Sequence, residues 1–87
     1  MKLWMKPVEM ILCTGCDGAL RPMRFRWTAE DGGNHVVNID RILSTNEEKL
    51  AGNAMFVYRV QSQIDGEERR FEMKYEVRSR IWYLSRM

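Results

Sequence analysis

The chain has no long hydrophobic run: no apolar stretch approaches the ~20 residues that a membrane helix needs, and Met1-Lys2-Leu3-Trp4-Met5-Lys6 lacks the apolar stretch of a signal peptide. No membrane association is therefore expected, and the cytoplasm is the simplest compartment. Two cysteines are too few for a disulfide framework, and a reducing compartment keeps both as thiols. With one histidine, no metallohydrolase histidine pair can form, and neither a Gly-rich phosphate loop nor a nucleophile elbow is present. Charge of one sign is also lacking. Fourteen basic against twelve acidic residues leave +2, too little on its own to imply a polyanionic partner.

What is there is enough for one domain. Eighty-seven residues can bury a small core without staples, and 45% hydrophobic with 30% charged residues is an ordinary globular balance that argues against disorder. The clearest local signal is Asp65-Gly66 between two alternating runs within 55–77. A two-residue Asp-Gly link is a strong hairpin signature because both positions must accept positive φ. Closing the turn there pairs Ile64 with Glu67, Val60 with Phe71, Tyr58 with Met73 and Phe56 with Tyr75, the last three on one apolar face. The opposite face receives Arg59 against Glu72, Gln61 against Arg70 and Val57 against Lys74, as on a solvated sheet surface.

Elsewhere the runs are shorter. Residues 8–12 predict a strand ending in the turn Cys13-Thr14-Gly15-Cys16-Asp17-Gly18. In 20–28, Met23, Phe25 and Trp27 alternate with Arg24, Arg26 and Thr28, and Asp31-Gly32-Gly33-Asn34 is a turn cluster. Residues 35–43 read as a third strand of ambiguous face, since Val37, Ile39 and Leu43 share one parity and Val36 and Ile42 the other; a bulge or two-sided burial is needed to reconcile them. In 44–52, Ser44 and Thr45 stand at capping-box spacing from Glu47 and Glu48, with Gly52 as a stop, which predicts a brief helical turn. Residues 80–87 close the chain as a last strand.

Chemistry is sparse. Cys13-x-x-Cys16 has the spacing of half a zinc knuckle, but a closed site needs His35 with a carboxylate such as Asp17, or a second chain with its own cysteine pair. Two reduced cysteines in a turn is the plainer reading. A redox role needs a helix N-terminus after the motif, and a turn between strands follows instead. His35 has no partner in sequence for acid–base work and reads as a strand-edge histidine. The pattern that does bear on function is arginine interleaved with aromatics: Arg21, Arg24 and Arg26 among Phe25 and Trp27, and Arg78, Arg80 and Arg86 around Trp82 and Tyr83, neither run containing an acid. Guanidinium groups can meet phosphates and rings can stack on unstacked bases. Alternation turns Phe25 and Trp27 inward, however, whereas Trp82 and Tyr83 must face opposite sides. An arginine ladder can equally be a solvated edge that discourages strand addition.

Lys6-Pro7-Val8-Glu9-Met10-Ile11, Pro22-Met23-Arg24-Phe25-Arg26-Trp27, Glu47-Glu48-Lys49-Leu50-Ala51-Gly52 and Phe56-Val57-Tyr58-Arg59-Val60-Gln61-Ser62, continuing through Phe71-Glu72-Met73-Lys74-Tyr75-Glu76 to Trp82-Tyr83-Leu84, together resemble short uncharacterised proteins of Firmicutes, small domains without assigned function. The resemblance spans nearly the whole chain from Lys6, carries over no catalytic residue and does not rest on Cys13 or Cys16. A second likeness, confined to 22–27 and 82–84, is to small bacterial domains with an Arg-Phe-Arg strand and a closing Trp-x-Leu strand found near DNA-repair polymerase genes. It implies contact with nucleic acid.

The expected architecture is all-β: a five- to six-stranded antiparallel barrel or strongly curled meander with one short helical turn. Residues 1–5 are expected as a poorly ordered extension and 6–87 as the single β domain. The expected core is Val8, Met10, Phe25, Trp27, Val37, Ile39, Phe56, Tyr58, Val60, Phe71, Met73, Tyr75 and Ile81. The expected function is that of a non-enzymatic binding module without a cofactor, meeting single-stranded nucleic acid or a nucleoprotein through Arg24, Arg26, Arg80 and Arg86 on phosphates and Trp82 on a base. The alternatives are a protein-interaction or homo-oligomerising domain, monomer or homodimer, in which the last strand or the 8–12 strand adds to another sheet edge, and a zinc protein built on Cys13 and Cys16.

Overall fold

The hairpin over 53–76 organises the molecule, and it follows the register that Asp65-Gly66 dictates. Asp65 and Gly66 take φ of 52° and 80°, the positive values of a two-residue turn whose twist matches the flanking strands. Pairing runs without interruption from Ile64↔Glu67 to Met55↔Glu76.

The computed structural model describes residues 3–87. Seven strands, β1 (Leu3–Thr14), β2 (Leu20–Thr28), β3 (Asn34–Asn38), β4 (Arg41–Leu50), β5 (Asn53–Ile64), β6 (Glu67–Glu76) and β7 (Ile81–Arg86), form one antiparallel sheet in the order β3-β2-β1-β7-β6-β5-β4. None of the described residues forms a helix long and apolar enough to cross a membrane. β1 already begins at Leu3, so 3–5 of the expected extension lie in a strand; residues 1 and 2 are outside the described residues.

Three expectations are corrected. The strand count is seven rather than five or six, and the helical turn over 44–52 is instead the second half of β4, paired to β5 from Ser44↔Arg59 to Leu50↔Asn53. A cap needs an apolar helical face behind it to bury, and this stretch offers almost none. Its backbone is satisfied by β5 instead. Gly52 is a hairpin residue: Ala51 and Gly52 carry φ of 50° and 81°. Finally, the sheet is not a closed barrel. The run 35–43 divides at Ile39-Asp40 into β3 and β4, which lie at opposite edges of the sheet. At this corner Asp40 N–H donates to Gln61 O of β5 at 2.9 Å and Ile39 N–H to Met23 O of β2 at 2.9 Å, and β3 comes beside β5. β7 lies between β1 and β6, and β1 pairs with β7 over 3–8 and with β2 over 9–14, so the last strand and the 8–12 segment are each already paired within the chain.

Bulges resolve the parity conflicts. Leu43 is the extra residue between Ile42↔Val60 and Ser44↔Arg59, which turns Ile42 inward and leaves Leu43 40% exposed. Met23 is likewise the extra residue between Arg24 and Pro22 opposite β1, so it does not share the face of Phe25 and Trp27; Pro22 is buried in its place.

The sheet folds over one core of Phe25, Val37, Tyr58, Val60, Phe71, Met73, Trp82 and Leu84. Phe25 of β2 meets Phe71 of β6 edge-on at 5.8 Å between centroids, tying the two halves together. Val8, Met10, Trp27, Ile39, Phe56 and Tyr75 pack against this core half-buried. Ile81, expected inside, is 40% exposed, because its neighbour Trp82 takes the inward position. On the outer face, Met55 and Val57 are also buried; Lys74, opposite Val57, is itself only 15% exposed and pairs with Glu48 at 3.2 Å, as expected of a methylene stem laid over an apolar patch.

Candidate nucleic-acid interface

Alternation along β2 places Arg24 and Arg26 outward, as its sequence requires, but lateral partners engage both. Arg24 Nε donates to Asn38 Oδ1 at 3.0 Å, and Arg26 pairs with the Glu9 carboxylate. Arg21 reaches Cys13 Sγ at 3.5 Å. This face also carries Ile11 and Val36, 61% and 56% exposed, which with the two arginines line a shallow concavity of about 360 Å³.

The other expected residues are elsewhere. Arg80 occupies the turn before β7 with φ 61°, its N–H on Glu76 O at 2.8 Å. Arg86 lies on the far side of β7, with Nε 3.5 Å from the Glu72 carboxylate, which also accepts from Ser85 Oγ at 3.0 Å. Trp82 is corrected as a stacking residue: at 4% exposure, packed against Tyr58 and Tyr75, its ring has no free face for a base. Pairing of Tyr75 with Trp82 fixes the parity of β7 and turns Tyr83 outward. The four expected arginines are thus divided between two faces and a turn.

A group that the linear sequence does not juxtapose is assembled by register. On the outer face of β4–β5–β6, Arg41 stands opposite Gln61 and Gln61 opposite Arg70; in the neighbouring row Arg59 stands opposite Glu72 and Glu72 opposite Arg86. Arg41, Arg59 and Arg70 are all exposed and, among the described residues, form no ion pair. The local acids have other partners: Glu72 is held by Ser85 and Arg86, and Glu68 accepts from Gln61 Nε2 at 2.8 Å. Arg59, Arg70 and the bulged Leu43 line a concavity of about 230 Å³. Arg59 and Arg70 share this concavity with the Glu72 carboxylate, while Arg41 lines a separate one beside Asp40, so the guanidinium groups can meet anions at successive points along the face with bidentate hydrogen bonds.

The cysteine pair gains no ligands. Cys13 and Cys16 are exposed, Asp17 Oδ1 accepts Ala19 N–H at 3.0 Å within the turn, and His35 stacks on Trp27 at 4.4 Å on β3. Lys6 Nζ stands 4.9 Å from the centroid of the same indole. Among the described residues, no three His, Cys, Asp or Glu side chains converge as a metal site.

No protein-family model matches the chain, and neither a curated protein nor a solved structure does.

Proposed function

We propose that this chain is a non-enzymatic module that binds single-stranded nucleic acid by its phosphates, on the outer face of β4–β5–β6. Arg59 and Arg70 make the principal contacts, with Arg41 and Arg86 at the flanks. The reading rests on one observation: Arg41, Arg59 and Arg70 gather on adjacent strands without an ion-pair partner among the described residues. Arg24 and Arg26, by contrast, must first give up Asn38 and Glu9. Trp82 is buried and Tyr83, though turned outward, is half-buried, so recognition is electrostatic and tolerant of sequence.

Anisotropy of a labelled oligonucleotide, titrated with protein at low and physiological salt, tests this. Binding should weaken as salt rises, and each arginine removed should lower the salt slope by about 1. Arg59→Ala/Arg70→Ala should abolish most binding, while Arg24→Ala/Arg26→Ala should retain it. No binding at low salt, or equal binding by both double variants, overturns the proposal.

A further inference from the structure

Gln61 borders all three arginines of the outer face. It stands directly opposite Arg41 on β4 and directly opposite Arg70 on β6, and it follows Arg59 by two residues on β5, so the four side chains share one side of the sheet. Arg41 and Arg70 are two strand spacings apart, about 10 Å between backbones, with the Gln61 amide midway.

The orientation of that amide is set by its partner. Gln61 Nε2 donates to Glu68 Oε1 at 2.8 Å. A carboxylate can only accept, so the NH2 end must face Glu68 and the carbonyl oxygen must turn away from it. Gln61 Oε1 accepts no hydrogen bond among the described residues and is not shut away from solvent. Guanidinium groups only donate, and the neighbouring carboxylates are engaged: Asp40 by Gln63 N–H, Glu68 by Gln61 itself, and Glu72 by Ser85 and Arg86. One uncommitted, uncharged acceptor therefore lies among three cationic donors.

We infer that Gln61 Oε1 reads a 2′-hydroxyl, which makes RNA rather than DNA the ligand of this face; the inference rests on the phosphate-binding role proposed above. In a single strand each sugar lies between two successive phosphates. With one phosphate between Arg59 and Arg70 and the next on Arg41, the intervening sugar passes over Gln61. A ribose there donates its 2′-OH to Oε1, whereas a deoxyribose leaves that oxygen to water. The arginines meet groups common to both polymers and supply affinity without discrimination. An uncharged amide suits the discriminating position, because a free carboxylate there would repel the phosphates on either side.

Competition measured by anisotropy among three oligonucleotides of one sequence free of uracil and thymine, as RNA, DNA and 2′-O-methyl RNA, tests the inference. The 2′-O-methyl strand keeps the ribose oxygen but has no proton to donate. RNA should bind about fivefold more tightly than either of the others, the worth of one hydrogen bond. Gln61→Leu, its fold monitored by circular dichroism, should bring RNA down to the level of DNA. That variant also frees the Glu68 carboxylate beside Arg70, which weakens both polymers, so the ratio of RNA to DNA affinity is the readout. Arg59→Ala/Arg70→Ala should weaken all three strands alike. Equal binding of RNA and DNA by the native chain, 2′-O-methyl RNA binding as RNA does, or an unchanged ratio in Gln61→Leu would each overturn the inference and leave the phosphate-binding role standing. Failure of all three strands to bind at low salt would overturn both.

Discussion

Asp40 is bonded to β5 twice: its N–H donates to Gln61 O at 2.9 Å, and its Oδ2 accepts the Gln63 N–H at 2.9 Å. The two residues Ile39 and Asp40 carry the chain from one edge of the sheet to the other, and these bonds hold that crossing against the strand beneath. Asp40→Ala should therefore cost about 0.5–1.5 kcal/mol in urea denaturation, the net worth of one hydrogen bond whose exposed donor, Gln63 N–H, can turn to water. Asp40→Asn, which keeps an acceptor oxygen, should recover much of the loss.

Tyr58 and Ile81 separate the observed core from the expected one. Tyr58 is 4% exposed against Trp82, whereas Ile81 is 40% exposed. Tyr58→Ala should cost about 3–5 kcal/mol, and Ile81→Ala about 1 kcal/mol or less. Comparable losses from the two in chemical denaturation would contradict the parity of β7.

Ser62 is fully buried, and its Oγ has no hydrogen-bond partner among the described residues. A hydroxyl left in this state is disfavoured by about 1–3 kcal/mol. Ser62→Ala should be neutral or stabilising, with a raised melting temperature as the readout.

The Glu76 carboxyl lies below its ordinary value of 4.5, chiefly through the hydrogen bond from Ser79 and then that from Asn53, with Arg78 adding a smaller electrostatic contribution. Its folded-state pKa is depressed, so the stability it contributes is present above the unfolded value and is lost as pH falls through the folded one. Melting temperature should drop more steeply with acidification below about pH 4.5 in the native chain than in Glu76→Gln. Parallel curves would remove Glu76 from the pH response.

The β5–β6 hairpin was legible because Asp65-Gly66 fixed a register that satisfied both faces at once. β4 was not, because Ser44-Thr45-Asn46-Glu47-Glu48-Lys49 has no alternation to detect: an edge strand with few apolar contacts takes its conformation from its neighbour's hydrogen bonds rather than from its own pattern. The positive-φ pair Ala51-Gly52 was its one local sign, and a glycine after a polar run serves a helix stop equally well. Trp82 and Tyr83 could not be assigned to faces until the partner of β7 was known. The β4–β6 arginine cluster was half visible, since the hairpin register already set Gln61 beside Arg70 in the row next to Arg59. Arg41 entered only with β4 as a strand.

Leu3 lies opposite Arg86 across β1–β7, while β3 runs into β4 through Ile39 and Asp40. A chain joined from residue 86 to residue 3 and opened between Ile39 and Asp40 would visit its strands as β4-β5-β6-β7-β1-β2-β3, the order in which they lie side by side. The sheet is a simple meander, circularly permuted. In the natural connectivity the central β1–β7 seam joins segments almost a full chain length apart, so its closure carries the largest loop entropy in the fold. The permutant replaces that seam with a local turn and should fold faster at similar stability, since rate follows the sequence separation of contacts.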